Sequence, residues 1–162
     1  MTLPGGVRLS ILMATLSLCA SPQGLPSRKI LTLDLAQTIA QEAMMKCRAD
    51  GYRVTVTVVD SSNIVKALLS DDGAARATVD IGRMKNNSVM AFGRASGPPA
   101  NLPAGAPVPA PLVPDTINAM GGMPIKVGDQ LIGSVSVSGA PGGDKDAACA
   151  SAALAKVADR LK

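Results

Sequence analysis

The sequence predicts a single α+β domain that follows an N-terminal export signal. Three observations favour this fold class. Apolar residues recur at helical spacing in three segments, apolar and polar residues alternate in the segments between them, and short turn sequences link paired strands. The predicted order is helix, hairpin, helix, long loop, hairpin, helix. Paired strands with flanking helices are typical of a sheet with helices packed against it.

Residues 1–24 have the pattern of a secretory signal peptide. Arg8 supplies a positive charge, Leu9–Ala20 supplies an apolar run, and small residues follow. The apolar run is shorter than the ~20 residues that a membrane-spanning helix needs. A lipoprotein anchor at Cys19 and a buried N-terminal strand or helix are the alternatives. We therefore expect a periplasmic or secreted mature chain, residues 25–162, without a transmembrane span.

The first predicted helix begins after Thr32, a good N-cap, and ends at about Asp50, before Gly51. Its apolar stripe comprises Leu35, Ile39, Ala43 and Cys47. Alternation in Arg53–Asp60 predicts a half-buried strand, and Ile64–Leu69 returns as the second strand of a hairpin.

The second predicted helix spans about Ala75–Phe92. It is followed by Ala95–Pro114, which holds seven prolines and is predicted to be a loop. Gly121–Gly143 predicts a second hairpin with a tight turn at its middle. Asp144–Lys162 is predicted to be the last helix.

Serine alternates with valine in the long strand of the second hairpin. Ser134, Ser136 and Ser138 share one face, and Val135 and Val137 share the other. We expect the serine face to meet solvent, or otherwise a ligand or a second copy of the chain.

Composition excludes several function classes. The 162 residues include no histidine, one Phe, one Tyr and no Trp, and the formal net charge is +4. The scarcity of aromatic rings argues against stacking on nucleic-acid bases. The absence of histidine excludes a Ser-His-Asp or Cys-His site and removes the commonest metal ligand.

Four segments, in this order, carry a resemblance to a known family: LTLDLAQTIAQEAMMKCRADGYRVTVTVVD, DDGAARATVDIGRMKNNSVMAFGR, GGMPIKVGDQLIGSVSVSGAPGG and DKDAACASAALAKV. The chain resembles the GlcG/HbpS family of haem-binding-type domains from about Leu31 to about Lys162. The resemblance implies a profilin-like or PAS-like antiparallel sheet, with the N- and C-terminal helices packed on one face. It also implies a homo-oligomer that holds haem or another small ligand near the sheet and the second helix.

Five residues are candidates for ligand binding. Lys85 lies on the inner stripe of the second helix and could hold a carboxylate, although its ammonium group could equally reach water along the helix. The glycines of the segment Met120, Gly121, Gly122 and Met123 allow a ligand to approach the backbone, and its thioethers can contact apolar surfaces or haem iron. The alternative is a turn that leads into a strand with two core methionines.

Cys47 and Cys149 remain after removal of the signal peptide, and two cysteines in an oxidising compartment can pair. Cys47 lies near the end of the first helix and Cys149 near the start of the last. If these helices pack antiparallel, the two residues meet. The alternative is a pair of buried, unlinked thiols.

The favoured function is an exported, non-enzymatic module that binds haem or a related small molecule. Without histidine, haem iron would have a Met, Lys, Tyr52 or hydroxyl donor from the protein, or no strong protein ligand, so we expect weak or interface-dependent haem binding. One alternative is an enzyme for a small acidic or unsaturated metabolite, with Lys85 assisted by Asp80 or Asp60. The other is an accessory subunit of a periplasmic redox system.

Overall fold

The structure is a computed structural model that describes residues 27–99 and 101–162; the predicted signal peptide, residues 1–24, lies outside them. The described helices are α1 (Leu33–Ala49), α2 (Ala77–Phe92) and α3 (Gly143–Lys156), followed by a 3₁₀ turn (Ala158–Arg160). The described strands are β1 (Thr55–Asp60), β2 (Val65–Ser70), β3 (Gly122–Val127) and β4 (Gln130–Ser138).

The four strands form one antiparallel sheet in the order β2-β1-β4-β3. Helices α1 and α3 pack together over one face, and α2 packs against β1, β3 and β4 from the other. The structure therefore confirms the predicted α+β class and the pairing of the N- and C-terminal helices on one face.

The hydrophobic core lies between the sheet and the α1–α3 layer. Its strand residues are Val56, Val58, Ile125, Ile132, Val135 and Val137, and its helix residues include Leu35, Ile39, Cys47, Cys149 and Ala153. The residues are aliphatic and small, so the helices can lie close to the sheet.

The element boundaries follow local signals. The Thr32 hydroxyl accepts a hydrogen bond from the amide of Leu35, and Gly93 closes α2 with φ +65°. The predicted end of the last helix at Lys162 is wrong. The α-helix stops at Lys156 because the amide of Val157 bonds back to Leu154, and the chain continues as a 3₁₀ turn.

The structure joins Cys47 of α1 to Cys149 of α3 across a sequence separation of 102 residues. Their Cα atoms lie 5.6 Å apart, which is within the usual range for a disulfide. The two helix ends that the sequence placed near each other therefore do meet.

The expectation that the serine face of β4 meets solvent or a second copy is wrong. Ser134, Ser136 and Ser138 are buried beneath α2. The reason is that the buried face of α2 is itself polar and offers hydrogen-bond partners, among them Asn86, whose side-chain oxygen accepts from Ser134 at 2.9 Å.

The proline-rich segment contains neither helix nor strand among its described residues, as predicted. No helix in the described ranges is long and apolar enough to span a bilayer.

Candidate ligand-binding site

A layer of polar side chains lies between α2 and the sheet, and two clefts, described below, border it. Asn86 donates to the carbonyl oxygen of Thr57 at 3.2 Å, and the hydroxyls of Thr55 and Thr78 lie 2.7 Å apart. Polar groups that lose water need such partners, because an unpaired buried group costs about 1–3 kcal/mol. The layer thus fixes the position of α2 through directed bonds.

Lys85 lies at one end of this layer and is almost completely buried. Its ammonium group donates to Asp146 Oδ2 at 2.7 Å and to the carbonyl oxygen of Val137 at 2.7 Å. Asp146 Oδ1 accepts from the amide of Ala140 at 3.0 Å. The pair therefore links α2, β4 and the first turn of α3, and Lys85 does not extend to water.

Burial is the main influence on both groups of this pair. It lowers the pKa of Lys85 and raises the pKa of Asp146, because the charged forms lose solvation. The hydrogen bond and the opposite charge of the partner act against both shifts. The partner's charge and hydrogen bond thus offset part of the desolvation cost of each group.

The glycines of the predicted site serve packing around this pair. Gly121 has φ +121°, and a Cβ there would lie 2.7 Å from Lys85 Nζ and 2.6 Å from the oxygen of Val137. A Cβ on Gly122 would lie 2.9 Å from the backbone oxygen of Lys85. The absence of side chains here lets the backbone pass close to Lys85.

The two methionines of the predicted site are separated by the sheet. Met120 is 41 % exposed and lines a cleft beside Lys85 and Asp146. Met123 packs against the hydrophobic core on the α1–α3 side. The structure thus brings together Lys85, Met120, Gly121 and Gly122, and places Met123 elsewhere.

The Lys85–Asp146 cleft has a volume of about 330 Å³. Its walls also include Ile81, Ile117, Ser138, Gly139 and Ala140. It offers a ligand an exposed thioether and backbone groups. Its one ammonium group is already bonded to a carboxylate.

A second cleft of about 310 Å³ opens between α2 and the β1–β2 hairpin, and we name it the Thr57–Arg83 cleft. Its apolar lining comprises Val59, Val65, Leu68 and Val79. Its polar lining comprises Thr57, Asn63, Arg83, Asn86 and Asn87. An apolar surface with a few convergent polar groups is the usual composition of a small-molecule site.

The Thr57 hydroxyl is the unusual group in this cleft. Thr57 is 3 % exposed, and its Oγ1 has no hydrogen-bond partner among the described residues. By contrast, the neighbouring hydroxyls of Thr55, Thr78 and Ser134 in the same layer have hydrogen-bond partners. A buried, unpaired hydroxyl that lines a cleft is a candidate contact for a ligand.

Arg83 supplies the positive charge at the rim. Its side chain is 52 % exposed, and its nearest carboxylate oxygen, on Asp115, lies at 3.8 Å, beyond hydrogen-bond distance. Asn63 donates to Asn87 Oδ1 at 2.8 Å, and Asn87 donates to the backbone oxygen of Asp115 at 2.9 Å. These amides order the rim, while the guanidinium fork keeps donors for an anion.

Sequence patterns did not identify the Thr57–Arg83 cleft. Thr57 is one of several strand residues in an alternating run, and Arg83 is one of several charged residues on a helix. The available signal was that serines and threonines occupy the same face of β1 and β4, which implies a polar layer. No group of three or more Cys, Asp or Glu side chains in the described ranges could hold a metal ion.

Comparisons of structure place the chain among known folds. A crystal structure of HbpS is 28 % identical, with a TM-score of 0.72, and the match covers 86 % of this chain and 99 % of that one. The Klebsiella pneumoniae protein ORFY is 24 % identical, with a TM-score of 0.68, over 83 % of this chain and 96 % of its own. The structure of a PduOC:heme complex is 19 % identical, with a TM-score of 0.67, over 78 % of this chain and 94 % of its own.

A search of curated proteins found no match. The family model described as "Haem degrading protein HbpS-like" matches residues 31–155, which is most of the chain. This match agrees with the resemblance in the sequence and with the fold of HbpS. The chain therefore belongs to the HbpS-like family.

Proposed function

We propose that the chain is an exported, non-enzymatic module that binds haem or a related amphipathic carboxylate in the Thr57–Arg83 cleft. The observation that carries the proposal is the combination in one cleft of an apolar lining, an unpaired buried hydroxyl and a guanidinium group at the rim. The family description names haem degradation, and one structural neighbour is a complex with haem. Both support a ligand of the haem type.

The residues of the cleft fit the periphery of a porphyrin better than its iron. Haem iron in proteins is usually held by His, Cys, Met or Tyr. The chain has no histidine, and none of the described residues that line this cleft is one of the other three. We therefore assign a ligand carboxylate to Arg83 and assign no iron ligand.

The size of the cleft favours partial burial of a large ligand by one chain. Small-molecule pockets have volumes of roughly 300–1,000 Å³, and this cleft lies at the lower end of that range. A homo-oligomer, which the sequence resemblance implies, would let a second copy cover the remaining ligand surface. Haem binding then depends on protein concentration.

One alternative is an enzyme, which the family description favours. Lys85 and Asp146 have pKa values shifted by burial, and such groups are enriched at catalytic sites. Against this, Lys85 and Asp146 are bonded to each other. Asp60, one of the two residues suggested to assist Lys85, accepts hydrogen bonds from the amides of Ser62 and Ile64. We propose that these groups are structural.

Titration of the mature protein with haemin tests the proposal. Absorbance and size-exclusion chromatography should show a saturable, stoichiometric complex, and the haem absorbance should persist when ascorbate is added. Loss of the haem absorbance with ascorbate, above the rate for free haemin, would favour the enzyme. No complex with haemin or with iron-free porphyrin at tens of micromolar would contradict the proposal and favour an accessory subunit.

A further inference from the structure

We propose that the Thr57–Arg83 cleft selects its ligand by an apolar body and a carboxylate, and that it supplies no protein ligand to iron. This inference rests on the proposed function and specifies the ligand class. Its consequence is that an iron-free porphyrin dicarboxylate binds as tightly as haemin.

The apolar contribution comes from both walls of the cleft. Val59 and Val65 come from the hairpin, and Val79 comes from α2. Val65 and Val79 are both substantially exposed in the single chain. A flat apolar ligand placed between the hairpin and the helix would remove both from water, which is favourable in proportion to the area buried.

The charged contribution comes from Arg83. A guanidinium group presents paired donors that match a carboxylate, and it is more weakly hydrated than an ammonium group. Asp115 forms an exposed ion pair with this group at 3.8 Å, which is beyond hydrogen-bond distance, so a ligand carboxylate can compete for the guanidinium donors. Lys85, by contrast, has its carboxylate within the protein at 2.7 Å.

The donors that could reach iron in this cleft are all weak. They are hydroxyl, amide and guanidinium groups, among them the buried hydroxyl of Thr57. A second copy of the same histidine-free chain would not add an imidazole. The thioether of Met120 lines the separate Lys85–Asp146 cleft. The cleft therefore recognises the apolar ring edge and the carboxylates of the ligand rather than its iron.

The test compares three ligands on the intact mature protein: haemin, protoporphyrin IX and protoporphyrin IX dimethyl ester. We expect the first two to bind with dissociation constants within about threefold of each other. We expect the ester to bind about 10- to 100-fold more weakly, the factor for loss of a charge-assisted hydrogen bond. Fluorescence quenching and absorbance measure the binding.

Variants locate the site. Arg83→Gln should weaken haemin and protoporphyrin IX equally, by about 10- to 100-fold. Arg94→Gln, which removes the same charge from an exposed residue outside the cleft, should leave both affinities unchanged. Thr57→Val should weaken both ligands without lowering the urea midpoint of the free protein, because the hydroxyl has no hydrogen-bond partner within residues 27–99 and 101–162.

The outcomes distinguish failure of this inference from failure of the proposed function. If haemin binds more than tenfold tighter than protoporphyrin IX, or if Thr57→Val changes the haemin spectrum alone, the inference is wrong and haem binding stands. If Arg94→Gln weakens binding as much as Arg83→Gln, the assigned cleft is wrong. If neither porphyrin binds, the proposed function fails and the inference fails with it.

Discussion

At the scale of the residue, Lys85 shows what local sequence patterns can and cannot predict about a side chain's partner. Its place on the inner stripe of the second helix identified it as a residue of interest. Which acid it meets depends on Asp146, 61 positions away in the chain. Local spacing carries no information about that distant pairing, so the sequence alone could not distinguish an internal partner from a ligand.

Replacement of Lys85 by Met should destabilise the fold by about 3–5 kcal/mol, because it leaves the Asp146 carboxylate buried without its counter-charge. The double variant Lys85→Met/Asp146→Asn should cost less than the single one, since no charge is then left unpaired. Urea unfolding of the oxidised mature chain gives both values. A single-variant cost below ~1 kcal/mol would show that the pair does not hold α2 to α3.

Asp71 joins three elements by a second set of charges. Its carboxylate accepts from Arg48, at the end of α1, at 2.8 Å and from Arg53, before β1, at 3.4 Å. The hydrogen bond from Arg48 is the largest influence and lowers the pKa of Asp71 from 3.8 to about 2, although burial acts in the opposite direction. Between about pH 4 and about pH 2, the Asp71 carboxylate therefore stays ionised in the native state, whereas it becomes protonated in the unfolded chain.

This shift predicts a pH dependence of stability. Since the folded pKa lies below the unfolded one, the contribution of Asp71 is present above about pH 4 and is lost as the pH falls towards 2. The difference in unfolding free energy between the wild type and Asp71→Asn should therefore shrink over that interval. The exposed Asp129→Asn variant is the control. A difference that stays constant from about pH 5 to about pH 2 would contradict the assignment.

At the scale of the element, the helices and strands were predictable because their signals are local. Caps, turn glycines and apolar periodicity lie within a few residues of each other, and α1, both hairpins and α2 follow them. The polar layer was not predictable from any one element. It forms because the serine face of β4 and the buried face of α2 are both polar. Their polar groups find hydrogen-bond partners only when the two faces are packed together.

The covalent link between α1 and α3 is the element-scale prediction. The Cys47–Cys149 pair closes a loop of 102 residues, and the chain-entropy model gives about 4–5 kcal/mol for a loop of that length. Reduction of the mature protein should therefore lower the urea midpoint and the melting temperature. The double variant Cys47→Ala/Cys149→Ala should show no response to reductant. Identical unfolding curves with and without reductant in the wild type would contradict the link.

At the scale of the whole molecule, the fold and the family could be predicted from the sequence, whereas the proposed ligand cleft could not. The fold depends on the order of helices and strands, which local sequence signals indicate. The Thr57–Arg83 cleft depends on the gap between α2 and the β1–β2 hairpin, which is set by packing. Thr57 Oγ1 stands out because it has no hydrogen-bond partner in the part of the chain that the structure describes, and this can be recognised only in the folded molecule.

Export is the prediction that concerns the whole chain. Export would bring the protein into an oxidising compartment, where the Cys47–Cys149 disulfide can form and persist. Arg8 and the apolar run Leu9–Ala20 predict cleavage between Cys19 and Gly24. Mass spectrometry of the exported protein should find an N-terminus in that interval and no free thiol. Placing a charge in the apolar run with Leu12→Arg should leave an uncleaved precursor in the cell, with both thiols reactive. An intact Met1 on the wild-type protein in a soluble cytoplasmic fraction would contradict export, and reduced Cys47 and Cys149 would be expected there.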